Sequence, residues 1–426
     1  MPAFEFSDER LDNGLRLILS EDHTAPVVAV NLWYNVGSRH EPEGRTGFAH
    51  LFEHLMFEGS RHVKKGEHFA LVEKAGGTLN ATTWCDRTNY YDTAPSNHLD
   101  LLLWLEADRM GGLLDGLSQH TLDNQRDVVK NERRQRYDNE PYGTWGERMH
   151  WKAFPKGHPY HHPTIGSMQD LDAASLDDVR AFFTRYYAPN NAVLTIVGDF
   201  ESDAARASVE RFFGGIARNP DVGGPPDGTL PSLRLGEEVR ELVPDRVQLE
   251  KLFVGYRAPA YGTDEFDALQ MALVVAGTGR GSRLHRRLVV DEQLAKDVSA
   301  SPWPFVGGAS VALAFATARQ GVPVDRLEAA FHDVLSGLAD GVTEAELARA
   351  RGMVDRFETL QVESVADRAD AFSENATLFD DPGRVNTNLD RYLSIGGDEI
   401  AAVAADVLRE DNRVVLTFVP AEGGPR

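Results

Sequence analysis

TGFAHLFEHLMFEGS, residues 46–60, decides how the rest of the chain is read. Phe48, Leu51, Phe52, Leu55, Met56 and Phe57 make nearly all of it apolar, so it predicts a short buried helix from about Thr46 to Glu58. The polar exceptions are His50, Glu53 and His54. They stand at i, i+3 and i+4, and at about 100° per residue they share one face. Two imidazoles one turn apart can grip one zinc ion, and a carboxylate beside them can take a proton from a water on that metal. Buried without metal or partners, the trio would be costly. Composition alone places an HxxEH string in such a chain about 0.03 times, so the match carries weight. The alternative is a pair of hydrogen-bonded core histidines.

Catalytic zinc has three protein ligands and an open position, so one ligand must come from elsewhere. Ser118 to Asn139 reads as a long helix, and it contains QRDVVKNERRQRYDN, residues 125–139. Gln125, Val128, Val129 and Glu132 stack along one side of it, which could turn Glu132 inward. From the residues alone, a solvated carboxylate among many charges is an equal alternative.

Outward from this centre, Leu15 to Val36 gives two β-like runs around a turn at Asp22 to Pro26 and reads as a hairpin. TLNATT and TNYYDTA read as a second β pair, followed by apolar helices from near Asn97, a helix over Leu176–Tyr187 and a strand, AVLTIVGDF. Gly, Pro, Asp and Asn crowd Gly214 to Glu238 without either period, which marks a linker. The expected domains are residues 1–218, zinc-binding and catalytic, and 237–426, of similar fold, joined by a linker over 219–236. In the second half, strands near Val239–Tyr256, a helix at Glu265–Ala276, strands near Val298 and Ala309–Ala318, further helices and VVLTFVP repeat the order in outline. The fold class is α+β, two similar domains of mixed sheet packed with helices, with an internal duplication.

Composition narrows the function. The chain has 426 residues, enough for two domains, and 44 basic against 66 acidic residues, a formal charge of −22. That acidity disfavours nucleic acid as a partner. A single cysteine, Cys85, excludes an intrachain disulfide and any Cys-rich zinc module. MPAFEFSDERLDNG does not read as a signal peptide, and no apolar run approaches about 18 residues, so a soluble cytoplasmic protein without membrane association is expected. GTGRGS (Gly277–Ser282) reads as a turn before a helix, and His158, His161 and His162 read as a surface loop. No GxSxG is present, and Cys85 has no nearby histidine, so nucleophile-based hydrolysis is unsupported.

HxxEH (His50–His54), GGTLNATT (Gly76–Thr83), VVKNERR (Val128–Arg134) and DNEPYG (Asp138–Gly143), in that order, resemble the pitrilysin/insulinase zinc metallopeptidases, the inverzincins. GSRHEP (Gly37–Pro42), HPYHHPTIG (His158–Gly166) and YYAPNNAVLTIVGDF (Tyr186–Phe200) also resemble that family, in its short two-domain form similar to the beta-like subunits of mitochondrial processing peptidase. The resemblance implies one zinc per chain on His50, His54 and Glu132, with Glu53 as general base. It implies that the strand holding Asn80 and Ala81 is an edge that pairs with substrate backbone. The implied activity is endopeptidase cleavage of unfolded peptides, or of precursor and leader peptides, inside a chamber closed by two such chains. Between His54 and Glu132 lie 77 residues, one more than the commonest family spacing, as a one-residue loop insertion would give. Many relatives carry Glu where Gln125 stands, so an amide is expected to support the metal from behind the ligands, with Glu73 as a substitute.

The second half departs further. Active relatives carry an Arg and, seven positions later, a Tyr that hold substrate at the zinc. Here Val289, before EQLAKDV (Glu292–Val298), and Lys296, within it, occupy those positions, and no tyrosine occurs between Tyr261 and Tyr392. In the two-chain branch of the family one subunit brings the zinc motif and the other the Arg/Tyr pair, which implies a heterodimer with a homologous chain. A homodimer using other residues is the alternative. A non-catalytic structural subunit, like the core proteins of respiratory cytochrome bc complexes, is the competing function, and a general peptide scavenger and a dedicated processing enzyme stay equally open.

Overall fold

The computed structural model describes residues 3–421, which fold as two compact units. The first comprises the chain up to Glu132 with His162–Pro226 and Thr359–Thr387. The second comprises Arg133–His161, Asp227–Glu358 and the chain from Asn388 onward.

The first unit holds a six-stranded sheet of β1 (Ser7–Arg10), β2 (Arg16–Glu21), β3 (Val27–Tyr34), β4 (Thr78–Thr83), β5 (Thr88–Pro95) and β6 (Ala192–Gly198), in the order β1-β2-β6-β3-β5-β4. The expected hairpin of β2 with β3 does not form. β6 lies between them, parallel to β2 and antiparallel to β3. Every residue of β6 is buried, and an uninterrupted apolar strand belongs at the centre of a sheet, where it displaces the local pairing. β4 and β5 pair antiparallel as expected, which leaves β4 as the outermost strand.

Along the first half run helices α1 (Phe48–Leu55), α2 (Glu67–Lys74), α3 (Leu99–Gly116), α4 (Gln119–Arg133), α5 (Trp145–Ala153), α6 (Met168–Ala173), α7 (Leu176–Tyr186) and α8 (Ser202–Phe213). No helix or strand interrupts the span 219–236, the expected linker.

The second unit holds β7 (Val239–Asp245), β8 (Lys251–Ala258), β9 (Ala295–Trp303), β10 (Ser310–Ala318) and β11 (Arg413–Pro420), in the order β7-β11-β8-β10-β9. Its half of the chain contributes helices α9 (Asp264–Gly277), α10 (Val324–Ser336), α11 (Glu344–Leu360), α12 (Val365–Phe379), α13 (Asn388–Ser394) and α14 (Gly397–Val407). This order matches β2-β6-β3-β5-β4 strand for strand, with a parallel first pair and antiparallel pairs after it. The two mixed sheets are a duplication, as the α+β reading expects.

The division at 219–236 does not describe the compact units, because each takes in a helix from the other half. α12 lies on β3 and β6, where Ala369, Phe372 and Ala376 pack against Ile18, Ala29, Val193 and Val197. α5 lies on β8 and β11. It comes so close that a Cβ on Gly255 would collide with the Met149 sulfur. Each sheet has an apolar second face that the helices of its own half leave open, and a helix from further along the chain closes it.

Candidate metal centre

The HxxEH motif lies on α1, and three segments fix where that helix begins. Its N-cap, Gly47, has a left-handed backbone with φ 89°. Gly166 packs directly on it, and a Cβ there would strike the Gly47 backbone. The Glu41 carboxylate accepts hydrogen bonds from Gly47 N (2.8 Å) and Ala49 N (2.8 Å), so a fully buried anion caps the helix's free amides. His162 Nε2 donates to the same carboxylate (2.9 Å) and to Ser38 O (3.0 Å). Burial pushes the Glu41 carboxyl up, and the His162 contact and the two amides hold it down. Thr46 is tied to Asp170 through its amide (2.9 Å) and hydroxyl (2.6 Å). GSRHEP and HPYHHPTIG are therefore the mounts of α1.

This also corrects the surface-loop reading of the histidines. His158 is buried and donates from Nε2 to Gly228 O (2.9 Å), and His161 donates from Nδ1 to Phe154 O (2.9 Å). They are hydrogen-bonding posts, indistinguishable in sequence from loop histidines because their acceptors are remote carbonyls.

On α1, the rings of His50 and His54 stand 4.9 Å apart between centroids, nearly perpendicular. Glu132 Oε2 lies 3.7 Å from His50 Nε2 and 3.3 Å from His54 Nε2. Leu122, Gln125 and Val129 form the buried side of α4, and Glu132 continues that row. Val128 is 41% exposed and lies off it, a correction to the expected stripe. Two imidazole nitrogens and a carboxylate oxygen within 4.8 Å of one another suit zinc. Tetrahedral bonds of about 2.0–2.1 Å put ligand atoms roughly 3.4 Å apart, near the distances found here. The three side chains are half-buried, which leaves access for a fourth, non-protein ligand.

Glu53 points from the same helix, which packs against β4. Burial pushes its carboxyl up, while the neighbouring Thr83 hydroxyl, His54 and Arg87 draw it down and Glu132 adds repulsion. A partly desolvated carboxyl beside a strand end is suited to exchanging a proton with a substrate atom. Asn80 and Ala81 lie on β4, the free edge, and the Ala81 amide is held by its neighbour's Asn80 Oδ1 (2.9 Å) instead of by β5.

Gln125 is buried and donates to Glu58 Oε1 (2.6 Å), while Lys65 pairs with the other oxygen, Oε2 (2.8 Å). Its amide thus steadies the turn after α1 in place of the direct support expected behind the metal ligands. Glu73 is exposed on α2 and supplies no substitute. Sequence reasoning passed over Glu41, Arg87 and Asp370. Asp370, on α12, accepts from Asn31 Nδ2 (3.0 Å), Trp33 Nε1 (2.8 Å) and Asn89 Nδ2 (2.8 Å). Glu41 alone had a signal, a carboxylate six residues before the glycine that opens an apolar helix.

His68, Asp92 and Glu106 form a second cluster of ligand-type atoms, completely buried. The Arg109 guanidinium pairs with Glu106 and stacks over Tyr90 (4.1 Å), so a protein cation already occupies it. Burial, then the Glu106 charge, pushes the Asp92 carboxyl well above the ordinary range. Cys85 is buried with its thiol pushed up to about 12, which makes it a poor nucleophile. Lys296 is exposed on the outer strand β9, and Val289 packs against the core of the second unit.

Residues 16–166 match the family described as Insulinase (Peptidase family M16), and residues 173–354 match the Peptidase M16 inactive domain. The zinc protease PqqE of Helicobacter pylori is 29% identical over 412 residues, covering 96% of this chain and 92% of that protein. A crystal structure of a protease from Helicobacter pylori matches with a TM-score of 0.91 at 28% identity, covering 98% of this chain and all of the other. The periplasmic protease PqqL of Escherichia coli matches with a TM-score of 0.77 at 18% identity, covering 99% of this chain but 48% of the longer one. Among the described residues no helix is long and apolar enough to cross a membrane. With both of the family's domains matched in order and a zinc protease aligned nearly end to end, the chain belongs to the insulinase family, peptidase family M16.

Proposed function

We propose that this chain is a zinc-dependent endopeptidase subunit that cuts unfolded peptides, with Glu53 as its general base. The observation that carries this is the convergence of His50, His54 and Glu132 within 4.8 Å, with Glu53 on the same helix and an unpaired strand edge beside it. Zinc held there supplies Lewis acidity toward a peptide carbonyl and makes a water more acidic. Glu53 takes a proton from the attacking water and returns it to the leaving amine. β4 receives the substrate as an added strand, which displaces Asn80 Oδ1 from the Ala81 amide. Edge pairing reads backbone, so extended chains are the substrate and folded proteins are not.

The chain spans half of the PqqL structure, which supports a second, homologous subunit completing the enzyme. Val289 and Lys296 stand where the family's Arg and Tyr would be, so the partner supplies that pair in a heterodimer. A homodimer is the alternative arrangement, which the mass of the active species distinguishes.

The decisive experiment is zinc content by inductively coupled plasma mass spectrometry, beside peptide cleavage with and without the homologous partner. About one zinc per chain, lost in His54→Ala, with cleavage lost in Glu53→Gln, is the expected result. A second reading, a non-catalytic subunit of the same fold, draws on the inactive-domain match over residues 173–354. No zinc after reconstitution, or no effect of Glu53→Gln, would establish it instead.

A further inference from the structure

Near its free edge, the sheet face that α12 covers is polar. Thr82, Asn89 and Trp33 are successive cross-strand partners on β4, β5 and β3, and Asn80, Tyr91 and Asn31 form the next row on that face. Arg87, in the turn between β4 and β5, lies over the first row with its guanidinium carbon 5.1 Å from the Trp33 ring centre. Its Nη1 donates to Thr82 O (3.0 Å), Thr82 Oγ1 and Asn89 Oδ1 (3.2 Å). All three acceptors are neutral. Asn89 is held in turn by Asp370, whose same oxygen takes Asn31 and Trp33. Among the described residues no carboxylate lies within ion-pair distance of Arg87, in a protein of charge −22 whose arginines mostly pair with acids. Arg87 is bonded to Thr82 on β4, the edge strand against which α1 packs.

We propose that Arg87 is a specificity residue that recognises a carboxylate on the peptide laid along β4, either an acidic side chain or a free C terminus. The inference rests on the edge-strand reading of Asn80 and Ala81. Side chains of an added strand alternate between faces, so only every second substrate residue reaches the face of Thr82 and Asn89. The three oxygens use one nitrogen of the guanidinium, leaving Nε and Nη2 on its other side for two parallel bonds to a carboxylate. Held beforehand by Thr82, Asn89 and Trp33, the side chain loses little freedom when ligand arrives. Arg109 cannot play this part, because Glu106 neutralises it out of reach of solvent.

The test uses the zinc-loaded full-length Glu53→Gln chain, alone and with the homologous partner; this chain is expected to bind peptides without cutting them. Binding of labelled unfolded peptides is followed by fluorescence anisotropy, with a single Glu or Gln scanned along each peptide and the C terminus free or amidated. The expected result is about tenfold tighter binding of Glu than Gln at one position, fading at its immediate neighbours. Adding Arg87→Gln should erase that ratio while affinity for the Gln peptide stays within about twofold and zinc content is unchanged. Arg87→Lys, which keeps the charge and loses the fork, should retain part of it and serves if the glutamine variant does not fold. Sensitivity to amidation alone would identify the C-terminal carboxylate as the ligand. A ratio of one, or a ratio that Arg87→Gln leaves in place, overturns the assignment while peptide binding itself stands. No binding of any peptide overturns the edge-strand reading along with it.

Discussion

His54 and Glu53 are neighbours on α1 with separable jobs. His54→Ala should empty the site of zinc, whereas Glu53→Gln should keep it and lower kcat by about 10²- to 10⁴-fold. Metal analysis and cleavage of one unfolded peptide, measured on the same preparations, check both. Glu41 touches no substrate, yet it holds two amides at the start of the helix that carries both histidines. Glu41→Ala leaves those buried donors unmet, which costs about 1–3 kcal/mol, and loosens His50 and His54 together. Thermal unfolding should report the first effect, and a chelator competition should show zinc held about tenfold more weakly. Of these residues, the histidines and Glu53 were legible in sequence because helical spacing alone brings them onto one face. Glu132 was named through the resemblance, while the residues alone left a solvated carboxylate equally open, since nothing local turns α4 toward α1.

At the scale of elements, β4 is the strand on which the proposed recognition depends. The Ala81 amide bonds Asn80 Oδ1 and takes no part in the ladder with β5. Ala81→Pro should therefore weaken peptide binding by about tenfold while moving stability little, a contrast that anisotropy and a melting curve would establish together. Behind the edge, burial and the charge of Glu106 on α3 push the carboxyl of Asp92 on β5 well above the ordinary range, beside the Arg109–Glu106 pair. A carboxyl whose folded pKa is raised holds its proton in the native state after the unfolded chain has released it. Stability from this group is complete below about pH 3.9 and is lost as pH rises toward the folded value, by up to about 1.4 kcal/mol per unit. Asp92→Asn keeps a donor for Glu106 and no titrating group. Denaturant unfolding between pH 5 and 8 should show the wild type losing stability relative to this variant, and parallel profiles would count against the raised Asp92 carboxyl. The β2–β3 hairpin shows the opposite lesson about elements: both runs were visible, but their partner, β6, lies more than 150 residues away.

For the molecule as a whole, the exchanged helices make the halves of the chain interdependent. A fragment of residues 1–218 lacks α12 and would expose Ile18, Ala29, Val193 and Val197, which Phe372 and its neighbours cover. It should fail to fold alone, judged by amide dispersion in its NMR spectrum. In the full chain, Phe372→Ala should cost about 3–5 kcal/mol in the first unit. A stable 1–218 fragment would show that α12 is dispensable.

Sequence alone determined what depends on short separations: the buried helix with its two histidines and base, the β4–β5 pair, the irregular linker, and a doubled strand-helix order. Each follows from periodicity or turn chemistry within a few dozen residues. Tertiary structure decided what depends on long separations. It placed β6 between β2 and β3, carried α5 and α12 into the opposite units, and turned the end of HPYHHPTIG from an apparent loop into a mount of the helix that carries His50 and His54. It also set Arg87 over Trp33, bonded to the neutral oxygens of Thr82 and Asn89. Burial of apolar faces and of polar groups selects partners by shape and charge across the whole chain, and no local pattern records which partner will be reached.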